Sequence, residues 1–225
     1  TSRGLGDVYK RQLLLCGLLT FGSCNMNNTA KGGLIGAGGG AALGAIIGGI
    51  AGHGKGAAIG AAIGTAVGAG AGVIIGKKMD KAAEAAKQVE GAQVDQITDA
   101  NGLQAVKVTF DSGILFGFNS SQLSASAKNS LTDFAQVLKN NPTMDIAVYG
   151  HTDKVGTLAA NEKVSLARAQ AVQNYLEQKG VSARQFKSVE GKAYNDYDEA
   201  KSAAENRRVE IYMYASEQMI KDAEA

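Results

Sequence analysis

The chain has 225 residues, enough for one ordinary domain plus a further segment. Lys and Arg total 23 against 21 Asp and Glu, a net charge of +2, and residues 103–214 carry 13 basic and 12 acidic side chains. That balance lacks the field a nucleic-acid partner needs, and two cysteines, Cys16 and Cys24, both near the start, exclude a disulfide framework for the remainder of the chain.

Thr1–Tyr9 reads as foreign to a natural start and is set aside from fold reasoning. Lys10-Arg11 then supplies a basic region, followed by an apolar run, Leu13–Phe21, too short to span a bilayer. Phe21-Gly22-Ser23-Cys24 resembles the lipobox of bacterial lipoproteins, although Phe21 stands where an aliphatic is usual. The resemblance implies lipidation of Cys24, which would become the mature N-terminus, with 1–23 removed and 24–31 a linker. A plain secretory signal with an incidental cysteine is the other reading. Both take the chain out of the cytoplasm.

Glycine is the anomaly of composition: 18 of 30 lie between Gly32 and Gly76, one at every fourth position of that interval. Residues between them are mostly Ala, Ile, Leu and Val. Each glycine costs a water-exposed helix about 1 kcal/mol relative to Ala. Close backbone packing in an apolar medium offsets that cost, and lipid enforces helical hydrogen bonding. His53-Gly54-Lys55 sits in the middle as a polar turn, predicting two helical spans, 33–51 and 57–76. Such a segment resembles the glycine-zipper hairpins of envelope lipoproteins and implies membrane contact and self-association; a low-complexity linker is the bland alternative.

Lys77–Thr98 mixes acids, bases and Ala with helical charge pairs such as Glu84–Lys87, predicting an exposed helical spacer of about 30 Å. Asp99-Ala100-Asn101-Gly102 closes it with turn residues, so the spacer spans 77–102.

Alternation at Val106, Val108 and Phe110 predicts a strand, with a short strand or bend over 114–118. Ser124 caps a predicted helix striped by Ala127, Leu131, Phe134, Ala135 and Leu138. Strands are expected at 144–149, 186–190 and 208–214, with helices at 161–179 and 198–205 and a tail over 215–225. Strands interleaved with helices indicate an α+β fold, a two-layer sandwich.

On the 161–179 helix, Ser165, Ala169, Val172 and Leu176 share the core face, with Asn161, Val164 and Arg168 on the face beside it. Arg168 is thus expected at the rim of the core, where a guanidinium grips a carboxylate in two-pronged fashion. The strand before this helix delivers Gly150-His151-Thr152-Asp153, and Asn206-Arg207-Arg208-Val209-Glu210 follows near the end. These segments resemble the OmpA-like peptidoglycan-binding domain, also found in peptidoglycan-associated lipoproteins and flagellar stator proteins, over about Leu103–Tyr214. The resemblance implies helices on one face of a mixed sheet. It further implies that Asp153 and Arg168 hold the ammonium and carboxylate of diaminopimelate in the peptidoglycan stem peptide, with Phe118, Asn119, Thr152, Asn161 and Val164 lining the pocket. Val164 departs from the usual Leu, and nothing is carried over to 191–194.

His151 reads as a structural loop histidine, and Arg207 and Arg208 as braces on carboxylates near the last strand. A hydrolytic triad of His151, Asp153 and Ser165 is disfavoured because Ser165 lies on the core stripe. Two histidines and no cysteine beyond Cys24 offer no metal cluster, and no cofactor is implied. The expectation is a non-catalytic, lipid-anchored outer-membrane tether whose wall-binding domain faces the periplasm. The rival is a glycine-zipper homo-oligomer that forms a pore and is positioned by that domain.

Overall fold

The computed structural model describes residues 67, 69–99, 102–117 and 120–225. Helix α1 (Ala69–Ala86) is followed by β1 (Ala92–Thr98), β2 (Gln104–Asp111), the short α2 (Ser112–Leu115), α3 (Ala125–Lys139) and β3 (Met144–Gly150). Helix α4 (Leu158–Gln178), β4 (Phe186–Gly191), α5 (Ala203–Asn206), β5 (Arg208–Ala215) and α6 (Glu217–Glu224) complete the order. The strands form one mixed sheet, β1-β2-β5-β3-β4, in which β3 and β4 are parallel and the other neighbours antiparallel. This is the α+β architecture expected.

One core joins the sheet to the helices, because Val106, Val108, Phe110, Ile146, Val148, Val209, Ile211 and Met213 present one face of their strands. The predicted stripe of α3 is fully buried against that face, and Phe134 meets Phe110 edge-on with ring centroids 5.7 Å apart. Ser124 caps α3, accepting from Ala127 N at 3.0 Å. Helix α4 buries Ser165, Ala169, Val172 and Leu176, as its periodicity indicated. It begins before Asn161 because Thr157 is its cap. It ends at Gly180 (φ 91°), where Gly180 N reaches Glu177 O and Val181 N reaches Leu176 O. The opposite sheet face carries Tyr149, Tyr212 and Tyr214 with Ala105 and Ala147.

Four expectations need correction, the shortest being that the helix expected at 198–205 is only the single turn α5, because Ser202 caps it and 199–201 form a turn and bend. The 77–98 spacer is not an exposed rod. Its first part continues α1, whose Ile75, Met79, Ala82, Ala83 and Ala86 are fully buried in the core. A turn through Gly91 (φ 76°) then feeds β1, the edge strand beside β2. Gln96 on β1 donates to Asp80 on α1 at 2.9 Å, tying the two together. The segment hides from pattern reading because its buried stripe is mostly Ala and its strand is the polar kind that suits an edge. The 215–225 tail is likewise structured: Ser216 caps α6, whose Met219 and Ile220 are buried beside α1. The 114–118 segment holds the end of a single helical turn, α2, and an isolated bridge from Phe116 to Leu123. Most of the glycine ladder, its polar turn and Cys24 lie outside the described residues. Its last residues belong to α1, where Ala71 and Ile75 join the core, and no helix among the described residues is long and apolar enough to cross a membrane.

Candidate functional site

The site is built where β3 and β4 end. Gly150 and Gly191 face each other across the parallel pair, and α4 lies directly on both. A Cβ at Gly150 would stand 2.1 Å from Ser165 O, and one at Gly191 would stand 2.5 Å from Leu166 N. Two residues without side chains thus let the helix bearing Arg168 approach the strand that delivers Asp153.

Main-chain hydrogen bonds then shape the loop. His151 N donates to Arg208 O at 2.9 Å, Thr152 N to Ala193 O at 2.8 Å, and Lys192 N to Gly150 O at 2.8 Å. Ala193 adopts φ 49° to make this contact and also donates from its N to Ser165 Oγ at 3.1 Å. Asp153 Oδ1 accepts from Val155 N at 3.0 Å, an Asx turn. Asn161 is buried and donates to Val155 O and Thr157 O at 3.0 and 3.2 Å, so it clamps the loop.

Arg168 is more enclosed than a rim position suggests, with 7% of its surface accessible. Its Nε donates to Ser120 O at 3.1 Å, and its guanidinium lies 5.2 Å from the Phe116 ring centroid. Burial lowers its pKa, Arg207 lowers it further and Asp153 opposes both. Arg207 Nη1 donates to Asp153 Oδ2 at 2.6 Å. One guanidinium, Arg207, holds the Asp153 carboxylate, while Arg168 is held by Ser120 O rather than by Asp153, which leaves it a charge able to meet a ligand's carboxylate.

Of the other sequence-derived residues, Thr152 is buried, and its hydroxyl has no hydrogen-bond partner among the described residues. Val164 is half-buried on the same helix as Arg168. Phe118 and Asn119 lie outside the described residues. Sequence reading missed Phe116 and the Ser120 carbonyl as the seat of Arg168, since a main-chain acceptor leaves no mark in a motif. Arg207 and Arg208 do brace carboxylates, Asp153 and Glu210 respectively.

His151 is enclosed, with Nε2 3.2 Å from Glu210 Oε2 and Nδ1 3.9 Å from Asp196 Oδ2. Burial pushes its pKa down, against the pull of Glu210. Glu210 also accepts from Arg208 Nε and Tyr212 Oη, each at 2.7 Å, forming a polar network beneath the loop. Ser165 is fully buried, its Oγ donating to Glu162 O at 3.0 Å, which rules it out as a nucleophile beside His151.

Residues 115–210 match the family model described as OmpA family, and residues 9–86 match the YMGG-like Gly-zipper. The chain is 34% identical over 125 residues to the peptidoglycan-associated lipoprotein of Pseudomonas aeruginosa, covering 54% of this chain and 70% of that protein. It is 35% identical over 123 residues to outer membrane porin F of the same organism, covering 52% of this chain and 35% of that protein. The chain spans 35%, 44% and 59% of the lengths of three curated relatives it matches, porin F among them. Among solved structures, a putative MotB-like protein from Desulfovibrio vulgaris shares the fold with a TM-score of 0.51 at 20% identity, covering 64% of this chain and 96% of that one.

Proposed function

The chain belongs to the OmpA family, and from that premise we propose that it is a non-catalytic envelope lipoprotein tethering the outer membrane to peptidoglycan. Its wall-binding domain faces the periplasm and takes the diaminopimelate of the stem peptide. Asp153 receives the ligand's ammonium and Arg168 its carboxylate, with Phe118, Asn119, Thr152, Asn161 and Val164 around them. Cys24 carries the lipid anchor.

One observation carries this reading: the loop leaving β3 carries Asp153, held by Arg207 at 2.6 Å, and Gly150 and Gly191 let the helix bearing Arg168 pack directly on that end of the sheet. A free amino acid end, with one positive and one negative group, complements that arrangement. The relatives named for outer membranes and for peptidoglycan association support the compartment and the wall partner. Many copies confined to one surface would hold the wall through avidity even where each contact is modest.

Pelleting of the full chain with purified sacculi tests the assignment. Asp153→Ala is expected to leave most of the protein in the supernatant while its melting temperature stays near that of the wild type. A variant that pellets as fully as the wild type refutes the site.

The Gly-zipper match over 9–86 supports a second role, self-association of the glycine segment in the membrane. Conductance of liposomes carrying the full chain separates a pore from a plain anchor, since an anchor leaves them impermeable.

A further inference from the structure

Beside the charged site, a cleft of about 310 Å³ opens between the 121–123 loop, the start of α3 and the outer face of α4. We propose that this cleft is a second subsite, taking the N-acetylated, lactyl-bearing sugar from which the stem peptide hangs, a proposal that rests on the stem-peptide reading above.

Position is the first argument. Ser120 O accepts from Arg168 Nε, and the next residues of the same loop, among them Gln122 and Leu123, form one wall of the cleft. The other wall is α4 itself, from Ala171 to Gln178. At 1.5 Å per residue that wall begins about 5 Å and ends about 15 Å along the helix from Arg168. Two stem residues and the lactyl ether separate the diamino acid from its sugar, roughly 10 Å at 3.3–3.6 Å per extended residue. A stem peptide seated on Arg168 and running along α4 therefore brings its sugar to this cleft.

Chemistry is the second argument. Gln122, Asn174 and Gln178 present three carboxamides, each both donor and acceptor, and the ring of Tyr175 lies among them. None of the lining residues is acidic, and Lys128 supplies one ammonium. That set suits hydroxyls and an acetamido group, while Lys128 suits the free carboxylate of the intervening acidic stem residue. The volume, at the low end for small-molecule sites, matches one sugar ring better than a glycan strand.

Rigidity is the third. Tyr175 Oη donates to Lys128 O at 3.0 Å and shares a hydrogen bond with Thr132 Oγ1, clamping α3 to α4 beneath the cleft. Lys179 Nζ sits 5.1 Å from the Tyr175 ring centroid and fixes that ring further. A floor ordered in advance loses little freedom when a ligand arrives.

Calorimetric titration of the full chain in detergent with two ligands tests the proposal: the free L-Ala-γ-D-Glu-diaminopimelate tripeptide, and the same tripeptide on N-acetylmuramic acid. The sugar-bearing ligand is expected to bind roughly tenfold tighter, about 1.4 kcal/mol. Asn174→Ala with Gln178→Ala should abolish that gain and leave affinity for the free tripeptide unchanged. If the wild type binds both ligands equally, or the double variant weakens both alike, the subsite is overturned and the wall-binding reading stands. If the wild type binds neither, both are overturned.

Discussion

Arg207 Nη1 donates to Asp153 Oδ2 at 2.6 Å, so the carboxylate assigned to a ligand's ammonium already holds a guanidinium from the segment leading into β5. Asp153 is the better enclosed partner, its side chain 15% accessible against 41% for Arg207. A pair exposed to this degree adds little to the stability of the fold, and on the reading proposed above its part is to aim Asp153.

Arg207→Gln is accordingly expected to cost less than about 1 kcal/mol of stability, the ordinary yield of a partly exposed ion pair. Binding to sacculi should fall about tenfold, because Asp153 loses the charge-assisted contact that holds it in place. Equal binding by variant and wild type would remove Arg207 from the site.

Arg168→Lys keeps the charge and loses the planar fork. The hydrogen bond from Nε to Ser120 O belongs to that fork, which also sets the guanidinium 5.2 Å from the Phe116 ring centroid. Sacculus binding should drop at least about tenfold, and stability by about 1 kcal/mol. A lysine variant that binds as well as the wild type would show that charge alone suffices.

Gly150→Ala tests the close approach that places the two charges. Its Cβ would meet Ser165 O at 2.1 Å, a backbone atom held by α4 that has no room to yield. Unfolding experiments should show a loss of about 3 kcal/mol or more. Gly70→Ala is the contrast, since nothing lies within 4 Å of its added Cβ. It is expected to be neutral or to stabilise α1 by up to about 1 kcal/mol.

Met79→Ala asks whether α1 belongs to the domain. Met79 is fully buried, so truncation should cost about 2–5 kcal/mol in denaturant unfolding. On an exposed spacer the same change would stay within about 0.5 kcal/mol.

Acid should weaken the fold in two stages. Burial lowers the pKa of His151 from its ordinary 6.5. For Glu210 burial alone would raise the value, but the contacts to His151 and Arg208 outweigh it and hold the carboxyl well below 4.5. In both cases the unfolded chain binds its proton at higher pH than the fold does, so stability rises with pH between the folded and unfolded values. The melting temperature should be full above about pH 6.5, decline below it through His151, and decline further below about pH 4.5 through Glu210. His151→Gln should flatten the first decline and shrink the second to the part that Arg208 supports. Superimposable profiles for variant and wild type would place the titration elsewhere.

The amino-acid sequence alone settled the fold class, the faces of α3 and α4, and the segment that carries Asp153. Each of those is written in local periodicity or in turn chemistry, where neighbours in sequence are neighbours in space. Tertiary structure decided the rest. That α1 and β1 belong to the domain follows from a small-residue stripe and an edge strand, whose burial depends on partners far along the chain. That Arg168 is seated on Ser120 O and Phe116, and that Arg207 takes hold of Asp153, depends on loops brought together only when α4 settles onto Gly150 and Gly191. Pairings across 48 and 54 residues leave no period in a sequence. They arise from the packing of the whole sheet and its helices.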